Sequence, residues 1–365
     1  MTVIATALHA AEPAPAAAKP AGMAGEDMAM ITLAAGIGRE LAAYRPAIYW
    51  VDTIASAVVG WGALTALILL PGLPLAASAA LALVAVLALY RLGSFIHEIT
   101  HMKEASVPGY RLGWNIMAGI PLMIPSFMYE GVHTLHHAKN RYGTARDPEY
   151  MALALKPKFS VPLFVVVAAL GPVGLLIRWA VLAPLSLIPP VRRFVRARFS
   201  ALSINPDFHR EPVTGAARRR WDVMEAATSL FAIAVLAGVA AGLIPLRAFG
   251  LWLAVLSASM VLNQIRTLAA HLWENDGSQM SITAQYLDSV NVPPPAWLPE
   301  LWAPVGLRYH ALHHLLPGLP YHALPEAHRR LVAGLPQGSA YHGGNHKTLG
   351  GVIARLWAEA GSARV

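Results

Sequence analysis

The sequence predicts an all-α integral membrane protein with four transmembrane helices in two hairpins and a histidine-rich helical cap on the cytoplasmic side. The first reason is composition: 56% of the 365 residues are hydrophobic, only 13% are charged, and the mean hydropathy is +0.48. Soluble domains carry about 25% charged residues, so a water-soluble protein of this length is excluded. The second reason is a set of apolar segments of about 20 residues, the length that crosses a bilayer.

The predicted spans occur in two pairs, at residues 48–70, 75–95, 226–244 and 248–269. The uncharged connection Pro71–Pro74 joins the first pair, and a short turn that contains Arg247 joins the second. A further apolar stretch, residues 161–188, contains Gly171–Pro172 and Arg178. These interruptions predict that residues 161–188 lie in the interface or re-enter the membrane without crossing it.

Basic residues concentrate between residue 188 and the third span, and they predict the orientation. They include Arg192, Arg193, Arg196, Arg198, Arg218, Arg219 and Arg220. Because cytoplasmic segments carry an excess of Lys and Arg, this region is expected to face the cytoplasm of the inner membrane. Four crossings place both termini and the cap on that same side. The positive-inside bias also accounts for the net charge of +8, and no nucleic-acid motif accompanies it.

The chain divides into three predicted parts. Residues 1–38 are rich in Ala and Pro and are expected to form a disordered tail. Residues 39–340 form the membrane domain, and residues 341–365 form a C-terminal tail with an amphipathic helix.

Three histidine boxes follow predicted spans or lie outside them. Their sequences are HEITH at 97–101, HTLHH at 133–137 and HALHH at 310–314. Residues at i, i+3 and i+4 share one helix face, so each box is able to present two or three imidazoles to one point. The chain has no cysteine, which leaves nitrogen and oxygen as metal ligands. Eight imidazoles exceed the four to six ligands of one ion and suit two adjacent metals.

Two other interpretations remain open from the residues alone. The first box also matches HExxH, the zinc metalloprotease motif in which Glu98 would be the general base. That interpretation leaves the second and third boxes unexplained. A transition-metal binding or transport protein is the non-enzymatic alternative, but transport favours ligands staggered along a transmembrane path.

The three boxes resemble the signature of the membrane fatty acid desaturase and hydroxylase superfamily, and the flanking sequences are similar to those of bacterial fatty acid desaturases. The resemblance extends from about Tyr44 to Leu335. It implies a non-haem di-iron centre that uses O2 as co-substrate. The implied iron ligands are His97, His101, His133, His136, His137, His310, His313 and His314. It also implies a ninth ligand shortly after the last span, the place that His271 occupies.

Carboxylates and amides near the boxes are candidates to orient the imidazoles. The candidates are Glu98, Glu130, Asp147, Glu149, Glu274 and Asp276. In some members of the family an asparagine one helical turn before the ninth histidine holds a water near the second metal. Here Thr267 occupies that position and Asn263 lies two turns away, so this chain departs from that pattern.

Desaturation of a fatty acyl chain in lipid metabolism is the first functional prediction. Hydroxylation or ketolation of an alkane, a fatty acid or a carotenoid is the alternative, since both outcomes use the same ligands. The substrate is therefore expected to be a membrane lipid or acyl chain. A chain without cysteine cannot hold an iron–sulfur cluster, so an external electron donor, a ferredoxin or similar protein with its reductase, is expected.

Overall fold

The computed structural model describes residues 25–296 and 298–361, and in that part the regular elements are helices, with isolated β-bridges. The α-helices, numbered in chain order, are α1 Met28–Leu41, α2 Pro46–Leu69, α3 Leu75–His101, α4 Tyr110–Trp114, α5 Val132–His136, α6 Ser160–Val166, α7 Gly171–Ile177, α8 Ala183–Leu185, α9 Pro189–Phe199, α10 Gly215–Ala240, α11 Leu246–Leu268, α12 Ile282–Asp288, α13 Pro299–Trp302, α14 His310–Leu315, α15 Leu324–Gly334, α16 Ala340–Gly343 and α17 Leu349–Glu359. Shorter 3-10 or π segments are Asn115–Gly119, Ser126–Met128, Leu153–Leu155, Val167–Leu170, Arg178–Leu182 and Tyr321–Ala323.

The first predicted hairpin is present as α2 and α3. The two helices approach closely at Gly60, where any side chain would collide with Leu89 of α3. α3 has 27 residues and is therefore about 40 Å long, more than the ~30 Å hydrocarbon core. This extra length carries the end of α3, beyond the predicted residue 95, to the first histidine box.

The second predicted hairpin is present as α10 and α11. α10 begins at Gly215, eleven residues before the predicted start, so its first turns carry Arg218–Arg220. α11 packs against α3, and the Ser259 hydroxyl lies 3.3 Å from the Val86 carbonyl oxygen. Beyond this contact α3 continues to the first box at His97 and His101, and the segment with His271 follows the end of α11.

Residues 160–185 form a fifth helical segment that is long and apolar enough to cross a membrane. Its N-terminal end contributes Val161 to a buried cluster with Leu268 at the end of α11. Further along, Arg178 donates a 2.7 Å hydrogen bond to Glu225 in the N-terminal half of α10. Both contacts lie toward the histidine side of the second hairpin, which favours the predicted placement without a crossing. The number of crossings stays a prediction.

The structure corrects the predicted boundary of the N-terminal tail. Residues 1–24 lie outside the described part of the chain, but Met28–Leu41 forms α1, which packs against α15. Asp27 caps α1 by accepting from the Met30 amide at 2.9 Å. The spacing of Met30, Ala34 and Ile37, all buried, places one apolar stripe on the domain. Alanine-rich composition hid this period.

The elements after α11 pack together around the third box. A backbone bridge joins His271 to Ser289, and another joins Asn291 to Tyr309. The C-terminal amphipathic helix predicted in residues 341–365 is α17, which buries Val352 and Leu356.

Candidate metal centre

The first histidine box occupies the last turn of α3. His97 and His101 stand one turn apart on one face of the helix, with ring centroids 5.5 Å apart. Both ring nitrogens of His97 and Nε2 of His101 are buried without a hydrogen-bond partner among the described residues. Since an unpaired buried polar atom costs about 1–3 kcal/mol, this arrangement is suited to a further ligand.

The second and third boxes lie on short helices outside the long spans. α5 follows Gly131, whose φ of +77° lies in the left-handed region that favours glycine, and this turn starts the helix abruptly. His137 directly follows the last residue of α5 and caps its C-terminal end. α14 starts at His310, directly after the bridge between Asn291 and Tyr309. These local features aim both HxxHH sequences at the end of α3.

Eight histidines form two groups of four. The first cluster is His97, His101, His133 and His313, and the second cluster is His136, His271, His310 and His314. Within each cluster the candidate ligand nitrogens all lie within 4.8 Å of one another. The three boxes, separated by more than 200 residues along the chain, therefore converge on two adjacent points, as the predicted two-metal site requires.

The nitrogen separations fit imidazoles around a metal ion. In the second cluster, His310 Nε2 lies 3.1 Å from His271 Nε2 and 3.2 Å from His314 Nε2. Ligands on a metal with a bond length of about 2.1 Å are separated by roughly 3.0–3.4 Å. Neutral imidazoles have one N–H at most, so a set of facing Nε2 atoms is better satisfied by a shared cation than by mutual hydrogen bonds.

His137 lies between the two clusters. Its Nε2 is 2.9 Å from His133 Nε2 and 3.0 Å from His313 Nε2, and its ring centroid is 4.3 Å from that of His314. It does not belong to either group of four by the distances above. Its role as a ligand remains a prediction that its position supports.

Two carboxylates, the buried Asp147 and the partly buried Glu149, orient imidazoles of the second box. Both oxygens of Asp147, one of the candidate orienting groups, lie 2.9 Å from His136 Nδ1. Glu149 Oε1 lies 2.9 Å from His133 Nδ1, and the other Glu149 oxygen accepts a 2.5 Å hydrogen bond from Tyr129. With Nδ1 holding the proton, Nε2 of both rings carries its lone pair toward the clusters.

His271, the predicted ninth ligand, is oriented by a hydroxyl. Its Nδ1 lies 2.9 Å from the Tyr142 hydroxyl oxygen and 3.3 Å from Ser289 Oγ. Tyr142 in turn donates a 2.6 Å hydrogen bond to Asp288. Sequence reasoning missed Tyr142 and Asp288, since neither has a spacing that links it to a box.

Glu98 was predicted to orient a histidine or to act as a protease base, and the structure gives it other partners. It accepts hydrogen bonds from the Tyr49 hydroxyl at 2.5 Å and the Tyr321 amide at 3.1 Å. Its nearer oxygen is 3.9 Å from His97 Nδ1, beyond hydrogen-bond distance. With His97 and His101 grouped with histidines of both other boxes, the HExxH interpretation has no separate site.

Three other predicted partners do not contact a histidine by hydrogen bond. Glu130 accepts from Ser126 and pairs with Arg111 at 3.3 Å. Asn263 accepts from Arg266 at 3.0 Å, and the Thr267 hydroxyl donates to the carbonyl of Asn263. Asn263 and Thr267 lie on α11 and form hydrogen bonds within that helix, so their closeness to His271 in the sequence does not bring them into contact with its ring.

Burial controls the charge of the site. It lowers the pKa of His133 and of His313 well below the usual value, which keeps these imidazoles neutral and able to bind a cation. Burial acts to lower the pKa of His136, but the charge and hydrogen bond of Asp147, together with the charges of Glu149 and Asp288, outweigh it, so the net shift of this pKa is upward. Burial raises the pKa of Glu149 to about 7, opposed by His136 and Tyr129.

The fold and site define a membrane protein of the histidine-box class, and sequence comparison agrees. The profile of the fatty acid desaturase family matches residues 72–345, and the chain belongs to that family. It is also similar to the ceramide hydroxylase of Caulobacter vibrioides, with 46% identity over 343 residues that cover 93% of this chain and 97% of the relative. Membership in an oxidoreductase family with five apolar helices makes this chain a multi-pass membrane enzyme.

Proposed function

We propose that this protein is an O2-dependent hydroxylase of a ceramide-type lipid, with an iron ion in each histidine cluster. The observation that carries the proposal is the pair of four-histidine clusters, at the ends of α3 and α11, in a chain 46% identical to a ceramide hydroxylase. Desaturation was the first functional prediction. The relative favours the hydroxylase alternative, whereas a metal transporter has no support from the family.

The reaction converts a C–H bond to C–OH. One oxygen atom of O2 enters the product, and the other leaves as water with two electrons and two protons. Two iron ions held by the clusters would supply the activation of O2. The electrons come from an external donor, for which a ferredoxin-type protein and reductase remain our proposal, since the chain has no cysteine for an iron–sulfur cluster of its own.

The chain's own residues hold the imidazoles and exclude water. Asp147, Glu149 and Tyr142 fix the rings of His136, His133 and His271 through Nδ1, which leaves Nε2 free for metal. His133, His136 and Asp147 are each at most 1% exposed. A dry site protects a strong oxidant from unproductive reaction with solvent.

A lipid substrate also fits the apolar surfaces of the membrane domain. An open apolar groove of about 560 Å³ lies between the two hairpins, toward the ends away from the histidines, and its lining includes Trp61 of α2, Phe231 of α10 and Trp252 of α11. Ligand sites of ~300–1,000 Å³ with apolar walls suit hydrocarbon. For orientation we keep the arginine-rich side, which is also the histidine side, in the cytoplasm.

The test is isotopic. Membranes from a host that makes unhydroxylated ceramide, with and without this protein, are supplied with ¹⁸O2, NAD(P)H, a reductase and a ferredoxin. We expect a hydroxyceramide that carries one ¹⁸O, and none from the His136→Ala variant. A product that has lost two hydrogens and gained no label would establish desaturation instead. Product formed without O2 would contradict both reactions.

A further inference from the structure

Arg266 lies in the last turn of α11, five residues before His271, and its guanidinium is only partly satisfied. One terminal nitrogen donates to the Asn263 amide oxygen at 3.0 Å. Nε is buried and has no hydrogen-bond partner in residues 25–296 and 298–361. The ion pairs of that part of the chain include none for Arg266, so its acceptors are neutral groups, the Asn263 amide and the Tyr90 hydroxyl.

The surroundings of Arg266 belong to the metal centre. Its charge helps to lower the pKa of His271 and of His310, after the larger effect of burial, and it acts on the carboxyl of Glu149. On the α3 side it interacts with Tyr90, whose hydroxyl donates a 2.9 Å hydrogen bond to the carbonyl of Trp302 in α13. Polar groups from α3, α11 and α13 thus meet at the membrane side of the second cluster.

This placement is unfavourable unless an acceptor is added. A guanidinium beside two candidate cation sites is repelled by any metal bound there, and repulsion is strong where the dielectric constant is low. An unpaired buried donor costs a further ~1–3 kcal/mol. Arg presents five donors in a rigid fork that matches planar oxygen acceptors. Within residues 25–296 and 298–361 the acceptors are the Asn263 amide oxygen and the Tyr90 hydroxyl, both neutral, and Nε has none, so a further acceptor is expected from the substrate.

We propose that Arg266 binds the carbonyl oxygen of the lipid head group, the amide of a ceramide, and thereby positions the reacting carbon at the clusters. The proposal rests on the proposed function and extends it to the position of reaction. Because Arg266 lies in the last turn of α11, five residues before His271, the hydroxylated carbon lies within a few bonds of the amide, not deep in the hydrocarbon chain. Arg266 is a substrate-positioning residue.

Binding is measured first, because it does not depend on turnover. Radiolabelled ceramide and radiolabelled hexadecane are titrated into the iron-loaded protein in nanodiscs. Loss of a hydrogen bond to a charged donor predicts that Arg266→Met binds ceramide about 10- to 100-fold more weakly, with hexadecane binding unchanged. Arg266→Lys retains the positive charge without the planar fork of donors, and its ceramide affinity is expected to lie between those of the parent protein and Arg266→Met. Arg247→Met, at the other end of α11, is the matched control because Arg247 contacts backbone carbonyls of Leu67 and Ile68.

Iron content and product position complete the test. We expect two irons per chain in Arg266→Met, an increased KM for ceramide, and hydroxyl groups spread over several carbons in tandem mass spectra. Equal ceramide affinity in Arg266→Met and the parent protein would overturn the proposal. So would a fall in kcat alone, with one product position, since that result assigns Arg266 to the metals. If the parent protein binds ceramide through Arg266 yet produces no hydroxyceramide, the proposed function fails and the binding role stands. A free fatty acid that shows the larger loss of affinity would overturn the choice of an amide over a carboxylate.

Discussion

Replacement of Asp147 by asparagine should weaken iron binding at the second cluster. Asp147 is fully buried and accepts from His136 Nδ1, from the Gly143 amide and from the Glu149 amide, at 2.8–2.9 Å. Removal of all three acceptor contacts by alanine would leave three unpaired donors at ~1–3 kcal/mol each, a cost comparable with the whole stability of ~5–15 kcal/mol. Asparagine keeps the size and one acceptor oxygen, so Asp147→Asn should fold.

The magnitude follows from the role of groups that orient metal-bound histidines. Their loss typically costs 10- to 100-fold in metal affinity, or about 1.4–2.8 kcal/mol. Competition with a graded series of chelators, read by elemental analysis, should show one iron released at lower chelator strength and one retained. Glu130→Gln is the control, because Glu130 contacts Ser126 and Arg111 instead of a histidine. An Asp147→Asn protein with unchanged affinity for both irons would refute the reasoning.

Three more predictions concern the site and its topology. His137→Ala should lose iron from the first cluster, since His137 Nε2 lies 2.9 Å from His133 Nε2. His342, in α16, belongs to neither cluster, and His342→Ala should keep both ions by elemental analysis. Removal of iron with bipyridine should lower the melting temperature of the purified protein, because bound metal stabilises the folded state by mass action; an unchanged melting temperature would contradict a metal-filled site. Because the chain has no native cysteine, an introduced thiol is labelled without background. A cysteine at position 207 in place of Asp207 should react with reagent from the cytoplasmic side, and one in place of Gly72 should react from the other side. Labelling at position 207 from outside would mean that residues 160–185 cross the membrane.

The histidine boxes were predictable because helical spacing is a local property. A separation of i, i+4 on the end of a long apolar helix places His97 and His101 on one face whatever the rest of the chain does. The grouping of the histidines into two clusters was not predictable from the sequence, because each HxxHH box contributes histidines to both clusters. His133 joins one cluster and His136 the other, and only packing of α5 between α3 and α14 decides that division.

The groups that orient the histidines show the limit of sequence reasoning. Asp147 was predicted from proximity, and its contact with His136 is present. Glu130 was predicted on the same basis but pairs with Arg111, since its turn faces away from the rings. Asp288 reaches His271 only through Tyr142, a contact between residues more than a hundred positions apart that no spacing reveals.

The structure of the N-terminal helix and the placement of the apolar segment 160–185 could not be predicted from the sequence, because packing decides both. An alanine-rich stretch hides the period of α1, whose helix is stabilised by packing on α15. For residues 160–185 length and hydropathy permit a crossing, and only the contacts of Val161 and Arg178 with the second hairpin favour one side.

The most direct test of the account is element-specific anomalous scattering from crystals of the purified, iron-replete protein. Difference maps at the iron edge should show two peaks, one among His97, His101, His133 and His313 and one among His136, His271, His310 and His314. The two peaks should not strengthen between anomalous maps collected just below and just above the zinc edge. A single peak, or zinc bound by His97 and His101 with the other boxes empty, would contradict the two-iron centre and the oxygen chemistry that depends on it.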